Sequence, residues 1–278
     1  MKWLFAFLLA VAIFGTAAYF SYNLAKPAIA VRQEQSGEVS AEPTPDVSLA
    51  EFQAAARLRQ DGKLVEARDA LTGFIQKYPN GAHVDEAKDV LGAVNIDILF
   101  SPIPSPEKQE YTVKKGDVIM RVAQKMKSTQ ELIMRTNNMT GTMLHIGDKL
   151  QISHPEFGII IQRKLKLLVL LNHNSFFKQY RTREEKLPGK QAPRVTTHVA
   201  EIMAWKGGKR VGFGTREYAN STRWIRLAAP GYYLYSLPDA SHPAQEQPPP
   251  ATGIGLNAGD TEELSSLVNS KTPVTVTD

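Results

Sequence analysis

The 278-residue chain contains no cysteine. That absence excludes disulfides, thiolate metal sites and a thiol nucleophile, and it leaves the redox compartment open. Charge of one sign is also scarce: 33 Lys and Arg against 28 Asp and Glu leave a formal charge of +5, spread along the chain. Such a balance suits an anionic polymer or a membrane surface and falls short of a nucleic-acid footprint, so no nucleic-acid partner is expected. His173, His198 and His242 are scattered without metal-ligand spacing, and neither a metal nor another cofactor is expected. Gly253-Ile254-Gly255 with Gly259 has glycines but not the flanking strand-loop-helix unit of a dinucleotide loop. What the chain does have is an ordinary globular balance, 42% hydrophobic and 22% charged, in a length greater than one typical domain. Proline-rich breaks divide it into unlike pieces.

At the N-terminus, Met1-Lys2 precedes an apolar run over residues 3–20, with no charge until Lys26. Eighteen residues sit at the short end of what crosses a hydrocarbon layer roughly 30 Å thick, and exceed a signal h-region of about 7–15. A transmembrane anchor over residues 1–30 is the favoured expectation. Ala28-Ile29-Ala30 also has the small-residue pattern of a signal cleavage site, so secretion after cleavage stays open. Lys2 faces Lys26 and Arg32 across the run and gives little bias of its own, but either reading exports the rest of the chain. Residues 31–47, rich in Glu, Ser, Pro and Gly, read as a linker away from the membrane.

Ser48-Leu49-Ala50-Glu51 has capping-box spacing and predicts a helix start. Apolar residues at helical spacing follow: Phe52, Ala55 and Ala56; then Val65, Ala67, Leu71, Phe74 and Ile75; then Val84, Ala87, Val90, Leu91 and Val94. Asp61-Gly62 and Pro79-Asn80-Gly81 punctuate them. The pattern over residues 48–100 resembles a tetratricopeptide-type helix pair. A unit this short needs something to lean on, another domain or a partner, and serves as a spacer or as a docking surface for an envelope protein. Pro102, Pro104 and Pro106 mark a linker over residues 101–110.

From Tyr111 the chain reads Tyr-Thr-Val-Lys-Lys-Gly-Asp-Val-Ile, continues through Asn137-Asn138-Met139, and closes with Leu144-His145-Ile146-Gly147-Asp148-Lys149-Leu150-Gln151-Ile152. Tyr111 and Val113 alternate as in a half-buried strand, two short helical patterns follow, and Gly147-Asp148 turns into a closing strand. Residues 111–153 resemble the LysM family, with the order strand, helix, helix, strand. The resemblance implies binding of N-acetylglucosamine polymers, chiefly peptidoglycan, in a shallow groove between the loop after the first strand and the loop before the last. Here those loops carry Gly116, Asp117, Val118, Leu144, His145 and Ile146. Gly116 and Gly147 also read simply as turn glycines, and Asp117 as a helix cap.

Beyond His154-Pro155 the pattern becomes extended, with a hairpin around Ile159-Ile160-Ile161 and residues 167–171. Further strands are expected over residues 176–180, 199–205, 210–213, 224–227, 232–235 and 274–276, with one helix over 261–268. Phe177-Lys178-Gln179-Tyr180, Ser221-Thr222-Arg223-Trp224-Ile225 before Pro230-Gly231-Tyr232, and Asp260 before Lys271-Thr272-Pro273-Val274 resemble parts of an L,D-transpeptidase domain over residues 156–278. The chain as a whole therefore reads as an α+β multidomain protein. The resemblance implies a cysteine in a Ser-x-Gly-Cys-Ile-Arg stretch and a histidine upstream, and neither stretch is present. Counting from the flanking pieces puts the nucleophile position at Gly253 or Ile254, the arginine near Gly255 and the histidine near Tyr235. A hydroxyl at Thr252 or Ser236 needs an adjacent base to substitute, and Tyr235 is a poor one near neutral pH.

The expectation is a non-catalytic envelope protein on the exported face of the cytoplasmic membrane. It has no catalytic residues, binds peptidoglycan through residues 111–153, and carries an inactive transpeptidase-like domain for wall or partner docking. The alternatives are a cell-wall enzyme with an unrecognised nucleophile and an inert terminal spacer.

Overall fold

The computed structural model describes residues 47–105, 107–187, 194–238 and 247–278; the apolar run, nearly all of the first linker and His242 lie outside them. Among the described residues no helix is long and apolar enough to cross a membrane. Three helices come first: α1 (Val47–Gln60), α2 (Leu64–Lys77) and α3 (Val84–Phe100). Helix α1 already includes Val47, so Ser48 lies in its first turn and not at its cap. The α1–α2 turn depends on Gly62 at φ +74°, where the Gly62 amide donates to Arg59 O and the Lys63 amide to Leu58 O.

Helix α3 is apolar on two sides. Ala87, Leu91, Val94 and Ile98 join Ala67, Leu71 and Phe74 of α2 and Ala55 of α1 in one core. Ile96 and Leu99, on the opposite stripe, belong to the main core beneath the β-sheet. A helix buried on both stripes is a wall between two layers, not the outer face of a free-standing pair. At Gly92 it meets the strand Ser175–Arg181 so closely that a Cβ would lie 2.8 Å from Lys178 Cγ and 3.1 Å from Lys178 Cα. Asn95 Nδ2 donates to Phe177 O at 2.8 Å, and Gln179 Nε2 donates to Asp89. The helical segment leans on this chain's own sheet and covers its edge strand.

Of residues 101–110, expected as a linker, the described ones on either side of residue 106 are tied down instead. The Lys108 ammonium donates to Ile98 O and Ser101 O at the end of α3, and to Ile103 O, satisfying carbonyls that a helix C-terminus leaves open. Strand β1 (Lys108–Thr112) therefore begins inside the expected linker. It pairs antiparallel with β2 (Lys149–Ser153), enclosing α4 (Ile119–Lys125) and α5 (Gln130–Thr136). Tyr111, Val113, Ile119, Val122, Ala123, Ile133, Leu150 and Ile152 form this unit's own core.

The remaining strands are β3 (Phe157–Gln162), β4 (Leu167–Asn172), β5 (Ser175–Arg181), β6 (Glu184–Lys186), β7 (Arg194–Lys206), β8 (Lys209–Arg210), β9 (Thr222–Leu227), β10 (Tyr233–Leu237), β11 (Gly253–Asn257) and β12 (Pro273–Thr277). They form one sheet in the order β5-β4-β3-β12-β7-β9-β10-β11-β6, with β8 paired to β7. Since β5 and β6 are separated by two residues yet lie at opposite ends of that order, the sheet must curl on itself. Helix α6 (Ala258–Leu267) packs on β9, β10 and β11, and Leu264, Leu267 and Val268 enter the main core. Of residues 210–213, expected as a strand, Arg210 pairs with Trp205 and the Val211 amide donates to Ala204 O; beyond Val211 the chain turns through Gly212 and through Gly214 at φ +85°. Strand β11 was not expected, because two glycines in five residues mask its pattern.

Gly92→Val adds methyl groups where Lys178 leaves no room. The expected result is a loss of about 1–3 kcal/mol, read as a lower urea midpoint with an unchanged m-value. An unmoved midpoint would contradict the close packing of α3 on β5.

Candidate functional site

The two loops that carry the six expected glycan residues are held together by backbone. The Val113 amide donates to Asp148 O and the Gly147 amide to Val113 O, each at 2.9 Å. Gly116 at φ +86° and Gly147 at φ +95° make the turns, and a Cβ at either would meet nothing within 4 Å. Backbone conformation, not space, is what asks for glycine there.

Asp117 is a loop organiser. Its carboxylate accepts from the Lys114 amide and from Tyr111 Oη, both at 2.8 Å. The Lys114 amide foremost, then the tyrosine hydroxyl, hold its pKa below the ordinary aspartate range, while the Tyr111 hydroxyl is raised chiefly by the same bond. In the second loop, Asp148 accepts from the His145 amide at 3.0 Å and its carboxylate lies 3.4 Å from the His145 ring. Val118 and Ile146 are exposed apolar side chains, Ile146 to 71%, and Leu144 is half-buried. A shallow depression of about 590 Å³ adjoins the second loop, lined by Asn137, Asn138, Met139, Met143, His145 and Asp148. Of the six expected residues only His145 lines it. Sequence reasoning passed over Met143, which is 76% exposed, because a single methionine in a loop carries no periodic signal.

The positions implied for a transpeptidase centre do come together. Strands β10 and β11 run parallel with Tyr235 opposite Gly255 and Leu234 opposite Ile254. The Tyr235 ring lies over the two glycines: a Cβ at Gly253 would sit 3.1 Å from Tyr235 Cδ1, and one at Gly255 would sit 3.2 Å from Tyr235 Cε2. Tyr235 is fully buried and its hydroxyl donates to Glu184 at 3.0 Å; burial, followed by that carboxylate, pushes its pKa up to about 12. Met203 and Trp224 complete a second small core over this face, with Trp205, Tyr233 and Leu237 packed against it. Ile254 points the other way into the main core, and Ser236 is buried with its hydroxyl donating to Arg223 O at 3.0 Å. Of the two hydroxyl candidates, Ser236 is committed to a backbone carbonyl, and Thr252 lies immediately before strand β11. Among the described residues no group of three or more His, Asp or Glu side chains has the placement to hold a metal ion.

The 111–153 unit is anchored to the rest of the molecule. Thr136 Oγ1 donates to Leu99 O and Thr129 Oγ1 to Ser266 O, each at 2.9 Å. Arg135 bridges Glu131 at 3.0 Å and Glu262 at 2.8 Å, Tyr218 Oη donates to Glu131, and Leu132 enters the main core.

Residues 111–153 match the LysM domain family. No curated protein matches the chain. Among solved structures, an L,D-transpeptidase from Mycobacterium smegmatis is similar at 12% identity and TM-score 0.31, covering 48% of this chain and 65% of that one. L,D-transpeptidase 3 from Mycobacterium tuberculosis, in complex with a faropenem-derived adduct, is similar at 14% identity and TM-score 0.32, covering 62% of this chain and 92% of that one. A fused Zn-dependent amidase/peptidase/peptidoglycan-binding domain-containing protein from Clostridium acetobutylicum is similar at 10% identity and TM-score 0.29, covering 44% and 51%. Likenesses at these scores assign no chemistry to this chain.

Tyr111→Phe removes one of the two donors to Asp117. The Asp117 pKa, followed by carboxyl NMR, is expected to rise toward the ordinary value. The sign follows from the depressed pKa: the bonds of Asp117 stabilise the loop above the unfolded-state pKa and are lost as pH falls through the lower folded value. Gly253→Ala places a Cβ 2.6 Å from Tyr233 O at φ +139°. A stability loss of about 1–3 kcal/mol is expected by thermal unfolding, and a neutral result would contradict the Tyr235 packing.

Proposed function

We propose that this protein is a non-catalytic cell-envelope factor that holds peptidoglycan through residues 111–153, with its β-domain serving wall or partner docking. The observation that carries the reading is the LysM match over a unit whose two candidate loops are zipped by Val113, Gly147 and Asp148. Gly116, Asp117, Val118, Leu144, His145 and Ile146 supply the groove: backbone amides and carbonyls for the N-acetyl and hydroxyl groups, and the exposed Val118 and Ile146 as an apolar side wall for a pyranose face.

The non-catalytic part of the proposal is supported by what fills the implied centre. A thiolate or hydroxyl nucleophile needs a side chain that can reach substrate and a base beside it. The chain has no cysteine, and Gly253 and Gly255 leave their space to a buried tyrosine, whose phenol is protonated near neutral pH and offers no base. The proposal includes an exported location, with the apolar run of residues 3–20 as its tether to the membrane or as a cleaved signal.

Full-length protein is expected to co-sediment with insoluble sacculi and to leave their muropeptide profile unchanged. A Leu144→Ala, His145→Ala, Ile146→Ala triple variant is expected to bind about tenfold more weakly, a difference of about 1.4 kcal/mol. New cross-links, or loss of stem-peptide D-alanine, would overturn the non-catalytic reading; undiminished binding by the triple variant would overturn the placement of the groove.

A further inference from the structure

The junction where helix α3, the 111–153 unit and the sheet meet encloses a cavity of about 170 Å³. Ile98 and Leu99 at the end of α3 and Phe176 and Phe177 of β5 give it apolar walls. The remaining wall is polar. The β1–β2 register places Ser153 opposite Lys108, and opposite residues of an antiparallel pair project from one face, here the face turned away from the unit's own core of Tyr111, Leu150 and Ile152. Both side chains line the cavity.

Ser153 is 3% exposed, and its hydroxyl has no hydrogen-bond partner among the described residues. A hydroxyl left so in a protein interior is disfavoured and uncommon. The Lys108 ammonium spends its N–H groups on Ile98 O, Ser101 O and Ile103 O. Burial nonetheless pushes its pKa down to about 8, against a smaller opposing pull from Glu107. Glu107 itself is held by Arg68 at 2.5 Å, so the charged groups lining the cavity, Arg68, Lys108 and Glu107, carry an excess of positive charge. The end of α3, whose open carbonyls would repel an anion, is covered by Lys108 at Ile98 O and by Thr136 at Leu99 O.

We propose that this cavity binds a small monocarboxylate with an apolar body about one ring in size, its carboxylate accepting from the Ser153 hydroxyl beside Lys108 and Arg68 and its body against Phe176 and Phe177. The size follows from the volume, since a cavity of about 150 Å³ in a protein core takes benzene. The head follows from the chemistry of the walls: free phosphate would leave the apolar ones bare, and a hydrocarbon would leave Ser153 without a partner. Entry is from a wider depression of about 460 Å³ that shares Leu99, Glu107, Ser153 and Asn172 with the cavity and is bordered by the exposed Lys127, Glu156 and His173. None of the six residues assigned to glycan lines either space, and the site does not depend on that assignment.

Benzoate, benzyl alcohol and toluene share the ring and differ in the head, and acetate has the head without the ring. Titrated into full-length protein at neutral pH, benzoate is expected to bind about tenfold more tightly than each of the other three, and to shift the amide resonances of Lys108, Ser153 and Phe177. Ser153→Ala is expected to remove the advantage of benzoate over toluene without lowering the urea midpoint of the free protein, because the hydroxyl bonds nothing among the described residues. Benzyl alcohol binding as tightly as benzoate would overturn the charged head, and toluene binding as tightly would overturn the Ser153 contact. Absence of benzoate binding, or shifts confined to surface residues elsewhere, would overturn the cavity assignment. A lowered midpoint in Ser153→Ala would also overturn it, since the hydroxyl would then serve the fold.

Discussion

Helix α3 is the constraint on which the rest of the arrangement depends. It gives one apolar stripe to α1 and α2 and the other to the sheet, and it carries a polar residue, Asn95, at the seam to satisfy Phe177 O on the covered edge strand. Both contacts require a short interaxial distance, and Gly92 supplies it where Lys178 passes. At the end of the same helix, Lys108 gathers the open carbonyls, and Leu99 O receives Thr136 from the LysM unit. Helical segment, LysM unit and sheet are thus referred to a single element.

That dependence explains which parts were legible in the sequence. The periodicity of Ala67, Leu71 and Phe74, and of Tyr111 and Val113, reflects burial within each unit, so the three helices and the strand-helix-helix-strand order could be read from spacing. Contacts between units leave no periodic trace. Thr136, Asn95 and Arg135 look like ordinary polar surface residues until their partners arrive from elsewhere in the chain. The proline-rich stretch after α3 likewise read as a linker because nothing local announces that the Lys108 ammonium folds back over it.

The candidate site was legible in the same uneven way. Gly116, Asp117 and Gly147 belong to short turns whose chemistry is local, and the structure gives each of them a definite backbone role. Strand β11 escaped notice because its two glycines make room for a side chain on the neighbouring strand, a signal that exists only once Tyr235 is placed above them.

Strand β12 has a consequence for how the chain folds. It lies between β3, to which it is parallel, and β7, to which it is antiparallel, and among the described residues no other strand joins those two. The β3-β4-β5 meander and the β7-β9-β10 ribbon each consist of neighbours in sequence and form from local contacts. Their union waits for a segment more than a hundred residues from β3, as the hydrogen bond donated by Thr277 Oγ1 to Ile161 O illustrates with a separation of 116. Closing such a loop is entropically expensive and kinetically late. Until it closes, the unpaired sides of β3 and β7 are bare ladders, open to pairing with another chain. Refolding of this protein is therefore expected to be most prone to aggregation just before its last strand is seated.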